Sequence, residues 1–213
     1  MESSDQPREK PVSEAAVVLD DMTQVDLRQL ADRLLETTRV EYVDDGVLLV
    51  MNPPHPKHRA IVRLLSRAID RAFVRGDTPV EWTIDSENFQ WELPGQSERF
   101  YVPDIVVSHP GADTPEEERA AIVLIAEVTS PTSADTVYND RVVKPAQYAK
   151  AGVPLYLLVD QERTAWTLFG LGDKPGYQVL AAGKFGESVP LPTPLGFSIP
   201  TTEWPSSNGL PPR

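Results

Sequence analysis

One carboxylate lies inside the most apolar stretch of the chain. Residues 121–128 read AIVLIAEV, a run that is typical of a central strand buried on both faces of a sheet. Glu127 lies within this run, and an unpaired carboxylate there would lose its hydration without compensation. We therefore expect Glu127 to have a cation or hydrogen-bond donors beside it.

A second carboxylate, Asp104, begins another apolar run. If the two runs form neighbouring antiparallel strands, joined by the polar residues 109–119, the start of the first strand lies beside the end of the second. Asp104 and Glu127 would then meet at one end of the sheet. Two close carboxylates repel each other unless they share a proton or bind a hard cation such as Mg²⁺, Mn²⁺ or Ca²⁺. Taken singly, each acid is more simply interpreted as a turn cap or the partner of an arginine.

Three polar residues follow Glu127 at helical spacing. Asp140, Lys144 and Tyr148 are four residues apart, which places them near one face if the segment is helical. Pro145 disfavours helical geometry at Lys144. A helix that begins or kinks at Pro145 would hold Lys144 at its N-terminal edge. From the sequence alone, Lys144 is an ordinary surface lysine, and Tyr148 is equally suited to packing on the sheet or to bonding a carboxylate.

The most regular element is a helix predicted from about Pro56 to Arg75. Its apolar side chains form one stripe, and the opposite face carries arginines. With Lys57 the helix has six bases and one acid, Asp70. A solvated face is the simpler interpretation, and a surface that meets phosphates is the alternative. The arginines are Arg59, Arg63, Arg67, Arg71 and Arg75.

Two histidines lie at the start of this helix. His55 and His58 are three residues apart, a spacing that permits a metal pair or a phosphate contact. An exposed or N-terminal packing role is the simpler interpretation for both.

The remaining pattern predicts an α/β fold, with a mixed sheet flanked by helices. Residues 26–38 have leucines at helical spacing, and Asp-Gly at 45–46 between two apolar runs indicates a hairpin of residues 40–43 and 47–51. A further helix is expected at 145–151, ending at Gly152. Other extended segments are expected at about 80–84, 88–93, 103–108, 121–129, 155–160, 164–169 and 177–180.

Length and composition suit one domain between two tails. The chain has 213 residues, and we predict a single domain at 22–204. Residues 1–21 are predicted to be a disordered acidic tail, and residues 205–213 a flexible tail rich in Pro, Ser and Gly. The absence of cysteine excludes disulfides and thiolate zinc sites. We expect no membrane span and no signal peptide, which makes the cytoplasm the default location.

The net charge of −12 argues against a generally basic nucleic-acid-binding protein. It does not exclude a nuclease, because carboxylates that hold metal ions add negative charge locally. It predicts weak nonspecific affinity for DNA unless the positive residues are concentrated on one face.

Several motifs, in this order along the chain, resemble the Uma-two family, a large and mainly bacterial group assigned as endonucleases of the PD-(D/E)XK, or restriction-endonuclease-like, superfamily. The motifs are VPD at 102–104, IAEVTSP at 125–131, NDRVVKP at 139–145 and YAKAGVPLYLLVD at 148–160. VEYVDDG at 40–46, MNPP at 51–54 and His58 also fit the beginning of the family pattern. The resemblance covers about residues 26–180.

This resemblance implies a metal-dependent phosphodiesterase with a restriction-endonuclease-like core. Asp104 and Glu127 would be the ligands of Mg²⁺ or Mn²⁺, and Glu41 a third acidic member of the site. Lys144 would be the lysine of the motif, located on the following helix rather than two residues after the Glu, where Thr129 stands. His58, Tyr148 and Asp140 are candidate accessory residues.

The leading interpretation is therefore a hydrolase, an endonuclease acting on DNA. A homodimer is plausible because cutting both strands needs two sites. One alternative is a catalytically silent nuclease fold that serves as an interaction module. A second is another hydrolase with a carboxylate pair, such as a glycosidase, which has no use for Lys144. The carboxyl groups of Asp104 and Glu127 must converge for the nuclease interpretation to hold.

Overall fold

The computed structural model describes residues 16–18, 39–44, 47–51, 54–78, 82–86, 91–92, 100–129 and 137–205. The helices described are α1 (Pro56–Arg75), α2 (Pro115–Ala121) and α3 (Lys144–Lys150), and a π-helical segment, Asn139–Val143, leads directly into α3. The strands described are β1 (Ala16–Val18), β2 (Arg39–Asp44), β3 (Val47–Met51), β4 (Thr83–Ser86), β5 (Trp91–Glu92), β6 (Phe100–Tyr101), β7 (Ile105–Ser108), β8 (Ile122–Val128), β9 (Leu155–Asp160), β10 (Ala165–Leu171), β11 (Tyr177–Lys184), β12 (Val189–Pro190) and β13 (Ser198–Ile199).

A six-stranded mixed sheet lies at the centre, with the order β11-β10-β9-β8-β7-β4. Strands β8 and β9 pair in parallel, and the other neighbours pair antiparallel. Both β8 and β9 are buried along their whole length, as their continuous apolar sequences predict. The connection between these parallel strands carries the π-helical segment and α3. The predicted mixed sheet flanked by helices is therefore confirmed.

A second, five-stranded sheet has the order β1-β3-β2-β6-β5. The predicted hairpin of β2 and β3 is confirmed, with an irregularity in pairing beside its turn. Strand β2 also pairs with β6 through Tyr42 and Phe100. After β6 the chain passes through residues 102–104 into β7 of the central sheet. Because of this short connection, β2 of the second sheet lies near the end of the central sheet where Asp104 is found.

Helix α1 covers one face of the central sheet, and its bounds are those predicted. Its apolar stripe, including Ile61, Leu65 and Ile69, packs in one core with side chains of β7, β8, β9 and β10. The helix begins after His55, whose side chain accepts a hydrogen bond from the Lys57 N–H. It ends at Gly76, whose φ of 72° is left-handed and is favourable only for glycine or a few small polar residues.

Some elements were not predicted from the sequence. Helix α2 lies in the stretch expected to be a polar connection, and the π-helical segment, β6, β12 and β13 were also missed. Strand β1 pairs with β3 and lies within the range predicted to be a disordered tail. The helix predicted at 26–38 and most of both predicted tails lie outside the described residues. None of the helices described is long and apolar enough to cross a membrane.

Replacement of Ile69 by alanine tests the packing of α1 on the sheet. Ile69 is fully buried in the core, so we expect Ile69→Ala to lower the free energy of unfolding by about 2–5 kcal/mol. Val74, on the same helix, is 89% exposed, and Val74→Ala should change the free energy of unfolding by less than about 0.5 kcal/mol. Urea unfolding of both variants measures the difference. Equal losses would contradict the packing described.

Candidate active site

The pairing of β7 with β8 brings Asp104 and Glu127 together. Ile105 pairs with Ala126 in antiparallel register, so Asp104, one residue earlier, stands opposite Glu127, one residue later. By the two-residue period of strands, these acids share the sheet face of Val106 and Ile125, opposite the face covered by α1. Both are buried. The predicted arrangement of antiparallel neighbours is confirmed.

Asp104 is held by donors from two other elements. Its Oδ2 accepts the Val128 backbone N–H at 2.8 Å and lies 3.0 Å from Nε2 of His58, in the first turn of α1. His58 is buried, whereas His55 is exposed and caps the helix. Of the exposed or N-terminal packing roles predicted for the two histidines, His55 has the exposed one, whereas His58 is packed in the first turn of the helix beside Asp104.

Lys144 lies at the centre of the acidic residues and is only 1% exposed. Its Nζ is 2.9 Å from Oε1 of Glu41, 3.0 Å from Oε1 of Glu127 and 3.1 Å from Oδ1 of Asp140. The interpretation of Lys144 as an ordinary surface lysine is therefore wrong. These three acids come from β2, β8 and the π-helical segment, so one ammonium group connects three separate parts of the chain.

The backbone around Pro145 explains how Lys144 is presented. Lys144 has right-handed helical angles, with φ −57° and ψ −47°, and its N–H donates to the Asn139 carbonyl five residues earlier. Pro145 has no N–H to donate. The Asp140 carbonyl instead accepts a hydrogen bond of 2.8 Å from the Tyr156 hydroxyl of β9. The helix α3 begins at Lys144, but it continues the π-helical segment without a break, so the expectation that Pro145 disfavours helical geometry at Lys144 is wrong.

Glu41 belongs to the same cluster and is fully buried. Its Oε1 accepts the Val102 N–H at 3.2 Å, and its Oε2 accepts Nδ2 of Asn139 at 3.4 Å. The sequence analysis did not select Asn139 or the Val102 N–H as parts of the site. Asn139 lies in the NDRVVKP motif and Val102 in the VPD motif. Their positions next to the selected acids could have indicated that they belong to the site.

Tyr148 takes both of the roles considered for it. Its hydroxyl donates to Oε1 of Glu127 at 2.8 Å. Its ring packs edge-on against Tyr101 and at a tilt against Tyr156, with centroids 5.7 and 5.6 Å apart. Burial, together with nearby carboxylates, raises the pKa of Tyr148 well above its ordinary value, so the hydroxyl remains a donor at physiological pH.

The cluster contains more negative than positive charge. Four carboxyl groups are buried here: those of Glu41, Glu127 and Asp140 contact the ammonium of Lys144, and that of Asp104 contacts His58. Burial is the largest cause that raises the pKa of Glu127 to about 8, although Lys144 acts in the opposite direction. Burial likewise raises the pKa of Asp140 to about 6. Burial of Glu127 therefore disfavours its charged form unless a further cation is present.

Asp104 and Glu127 are the two carboxyl-bearing residues that stand opposite each other in the pairing of β7 with β8. Within the described ranges, no three acidic or histidine side chains are grouped so that they could hold a metal ion. Mg²⁺ commonly uses only one or two carboxylates and takes its other ligands from water and phosphate. Asp104 and Glu127 supply that kind of oxygen pair, and the excess of buried carboxyl groups favours a cation.

Comparison with solved structures reveals a similar fold. The chain resembles the crystal structure described as "a putative nuclease belonging to DUF820" from Anabaena variabilis ATCC 29413, with a TM-score of 0.53 and 19% sequence identity. The similarity covers 79% of this chain and 93% of that one. At this identity it supports the shared fold alone. No curated protein matches the chain.

Comparison with protein families gives a match along most of the sequence. The family described as "Uma2: Putative restriction endonuclease" matches residues 25–202. This range includes every residue of the cluster, from Glu41 on β2 to Tyr148 on α3. It also extends beyond the range of the motifs that first suggested the resemblance. The chain belongs to the Uma2 family of restriction-endonuclease-like proteins.

Proposed function

We propose that this protein is a metal-dependent endonuclease that hydrolyses phosphodiester bonds of DNA. The observation that carries the proposal is the position of Lys144 Nζ, 3.0 Å from Glu127, where Glu127 stands opposite Asp104. A close carboxylate pair beside a buried ammonium group suits hydrolysis of a phosphate ester. Membership of the Uma2 family and the shared fold support this proposal. Cleavage of both strands at one position would need two such sites, which a homodimer would provide.

The carboxylate pair would hold Mg²⁺ or Mn²⁺. When bound there, such an ion supplies a Lewis acid that withdraws charge from a phosphate oxygen and lowers the pKa of a bound water. The chain orients both acids for this purpose. Val128 N–H and His58 fix Asp104, and the Tyr148 hydroxyl fixes Glu127. Outer partners of this kind commonly increase metal affinity or activity by about 10–100-fold.

Lys144 would act on the reacting phosphate directly. Hydrolysis adds water across a P–O bond and places additional negative charge on the phosphoryl oxygens as the transition state forms. An ammonium group already held beside Glu127 can offset that charge or orient the attacking water. Glu41 and Asp140 keep Nζ in place with contacts of 2.9 and 3.1 Å, so they are positioning residues for Lys144.

One observation favours a second candidate, a catalytically silent nuclease fold that serves as an interaction module. Lys144 contacts three carboxyl groups and thereby compensates part of their charge without any other ion. Such a cluster could serve only to connect β2, β8 and α3. Cleavage assays separate the two candidates, because only the enzyme needs Asp104 for turnover.

Replacement of Asp104 tests the proposed reaction. We expect the wild-type protein to cut DNA with Mg²⁺ or Mn²⁺ and to lose this activity in EDTA. Asp104→Ala should lower cleavage by more than about 100-fold, because loss of outer partners alone costs about 10–100-fold. Asp173→Ala, at an exposed position, is the control. Equal cleavage by the wild type and Asp104→Ala would indicate a contaminating nuclease. No cleavage of single- or double-stranded DNA by the folded wild type would favour the silent module.

Lys144→Met tests the role of the ammonium group. We expect kcat to fall by about 100–1000-fold, the effect typical of removing one group that stabilises transition-state charge. The variant also leaves buried acids unpaired, so its free energy of unfolding should fall by about 3–5 kcal/mol. Activity is therefore measured well below its melting temperature. Lys150→Met, at an exposed position on the same helix, is the control. A wild-type kcat in Lys144→Met would refute the role.

The raised pKa of Glu127 predicts how stability depends on pH when no metal is bound. The folded protein holds this proton up to about pH 8, whereas the unfolded chain releases it near 4.5. The resulting stabilisation is complete below pH 4.5 and is lost as the pH rises through about 8. In EDTA, the free energy of unfolding should fall over this range more steeply for the wild type than for Glu127→Gln.

Urea unfolding at several pH values measures this difference, with Glu118→Gln on the exposed surface as the control. Addition of Mg²⁺ at pH 8 should raise the melting temperature of the wild type more than that of Glu127→Gln, because the cation binds the folded state. Parallel pH curves for the wild type and Glu127→Gln would contradict the proposed protonation of Glu127.

A further inference from the structure

Helix α1 presents an exposed row of arginines, here called the basic face, which consists of Arg59, Arg63, Arg67, Arg71 and Arg75. Each of the five is exposed, while the opposite side of the helix is buried in the core. The whole chain has a net charge of −12, and Asp70 is the one acid in the helix sequence. A strong local excess of positive charge therefore lies on an acidic protein.

The basic face is extended rather than compact. Its arginines recur every four residues, so each is about 6 Å further along the helix axis and turned by about 40° from the one before. From Arg59 to Arg75 the row covers about 24 Å. A charged row of this length suits a linear polyanion better than a small anionic ligand.

The packing of the protein does not account for these guanidinium groups. Arg59 donates to the Pro54 carbonyl at 3.1 Å, but no ion pair with an acid of the described segments involves any arginine of the basic face. Arg141, by contrast, forms hydrogen bonds of 2.9 and 3.0 Å with Asp160 and of 2.7 Å with Glu162. Within the described segments, the arginines of the basic face other than Arg59 therefore keep their guanidinium N–H groups available to a partner.

The row begins beside the carboxylate cluster. His58, in the first turn of α1, contacts Asp104 at 3.0 Å, and Arg59 is the next residue. The helix then leads away from the cluster toward Arg75. A backbone bound along the row would thus reach the end of α1 that contacts Asp104, where the surplus of carboxyl groups would otherwise repel phosphates.

We propose that the basic face binds the phosphate backbone of duplex DNA and guides it to the Asp104 and Glu127 pair. The inference rests on the proposed nuclease function, and it assigns the surface that binds the substrate. Arginine suits this task because its guanidinium group forms paired hydrogen bonds with phosphate oxygens. The remaining surface of an acidic protein contributes little to nonspecific affinity, so this face supplies most of it.

A charge-matched pair of variants tests the assignment. Arg63→Gln/Arg67→Gln/Arg71→Gln removes three charges from the middle of the basic face. The control removes three charges from exposed lysines elsewhere, as Lys150→Gln/Lys174→Gln/Lys184→Gln. Circular dichroism and melting temperature verify that both full-length variants fold. Fluorescence anisotropy then measures affinity for a labelled DNA duplex in EDTA over a range of salt concentrations, and the same proteins are assayed for Mg²⁺-dependent cleavage.

We expect the arginine variant alone to bind more weakly. Each lost phosphate contact lowers the slope of log affinity against log salt by about 0.9, so its slope should fall by about 2–3 while the control keeps the wild-type slope. Equal losses in both variants would overturn the proposal, and so would wild-type binding by the arginine variant. Stronger binding of the wild type to anionic phosphatidylserine vesicles than to DNA, lost in the arginine variant, would also overturn it in favour of a membrane partner.

The assays separate this proposal from the nuclease function. If the wild type cleaves DNA and the arginine variant cleaves it equally well, the role of the basic face in DNA binding is overturned and the nuclease function stands. DNA binding that depends on the arginines, without any cleavage by the wild type, would support the basic face and refute the nuclease function. A wild type that neither binds nor cleaves DNA would overturn both.

Discussion

The ammonium group of Lys144, buried among Glu41, Glu127 and Asp140, is the interaction on which the rest of the site depends. Removing a charge from water is costly, and the cost is recovered only when partners surround it closely. Here those partners come from β2 of one sheet, β8 of the other and the helical connection after β8. The lysine can be buried only if the two sheets and the helical segment take their observed relative positions. The polar cluster thus specifies an arrangement that apolar packing alone would leave less defined.

The buried acids of the site outnumber the positive groups around them. This imbalance affects both the stability of the fold and the binding of cations. Burial raises the pKa of Glu127 and of Asp140 above their ordinary values, although the ammonium group of Lys144 acts in the opposite direction. An additional positive charge bound at the site would therefore stabilise the charged forms of these acids. Tyr148 and the Val128 N–H are uncharged donors, so they fix the geometry of the acids without compensating their charge.

The sequence predicted the parts of the site that follow from strand logic. The apolar runs around Asp104 and Glu127 predicted two strands that pair antiparallel. The apolar stripe of α1 predicted the helix and its bounds. The burial of Lys144 was not predictable locally, because it depends on Glu41, more than a hundred residues earlier. Asn139 and the π-helical segment were missed for a related reason, since hydrogen bonds to distant groups override local helical preference there. Helix α2 was missed because a short run of acids after Thr114 resembles a polar loop as closely as a capped helix.

The hydrogen bond from Tyr156 to the Asp140 carbonyl has a consequence for how the site comes into existence. The Lys144 N–H donates to the Asn139 carbonyl, and Pro145 has no N–H to donate. The Asp140 carbonyl in this stretch of helix therefore accepts its hydrogen bond from the Tyr156 hydroxyl of β9. The geometry of residues 139–145 therefore depends on a contact with the sheet and not on the local sequence alone. A synthetic peptide of residues 137–150 would lack that donor and is too short to be a stable helix in water. The position of Lys144 beside its acids therefore depends on the pairing of β9 with β8, which brings the Tyr156 hydroxyl to the Asp140 carbonyl.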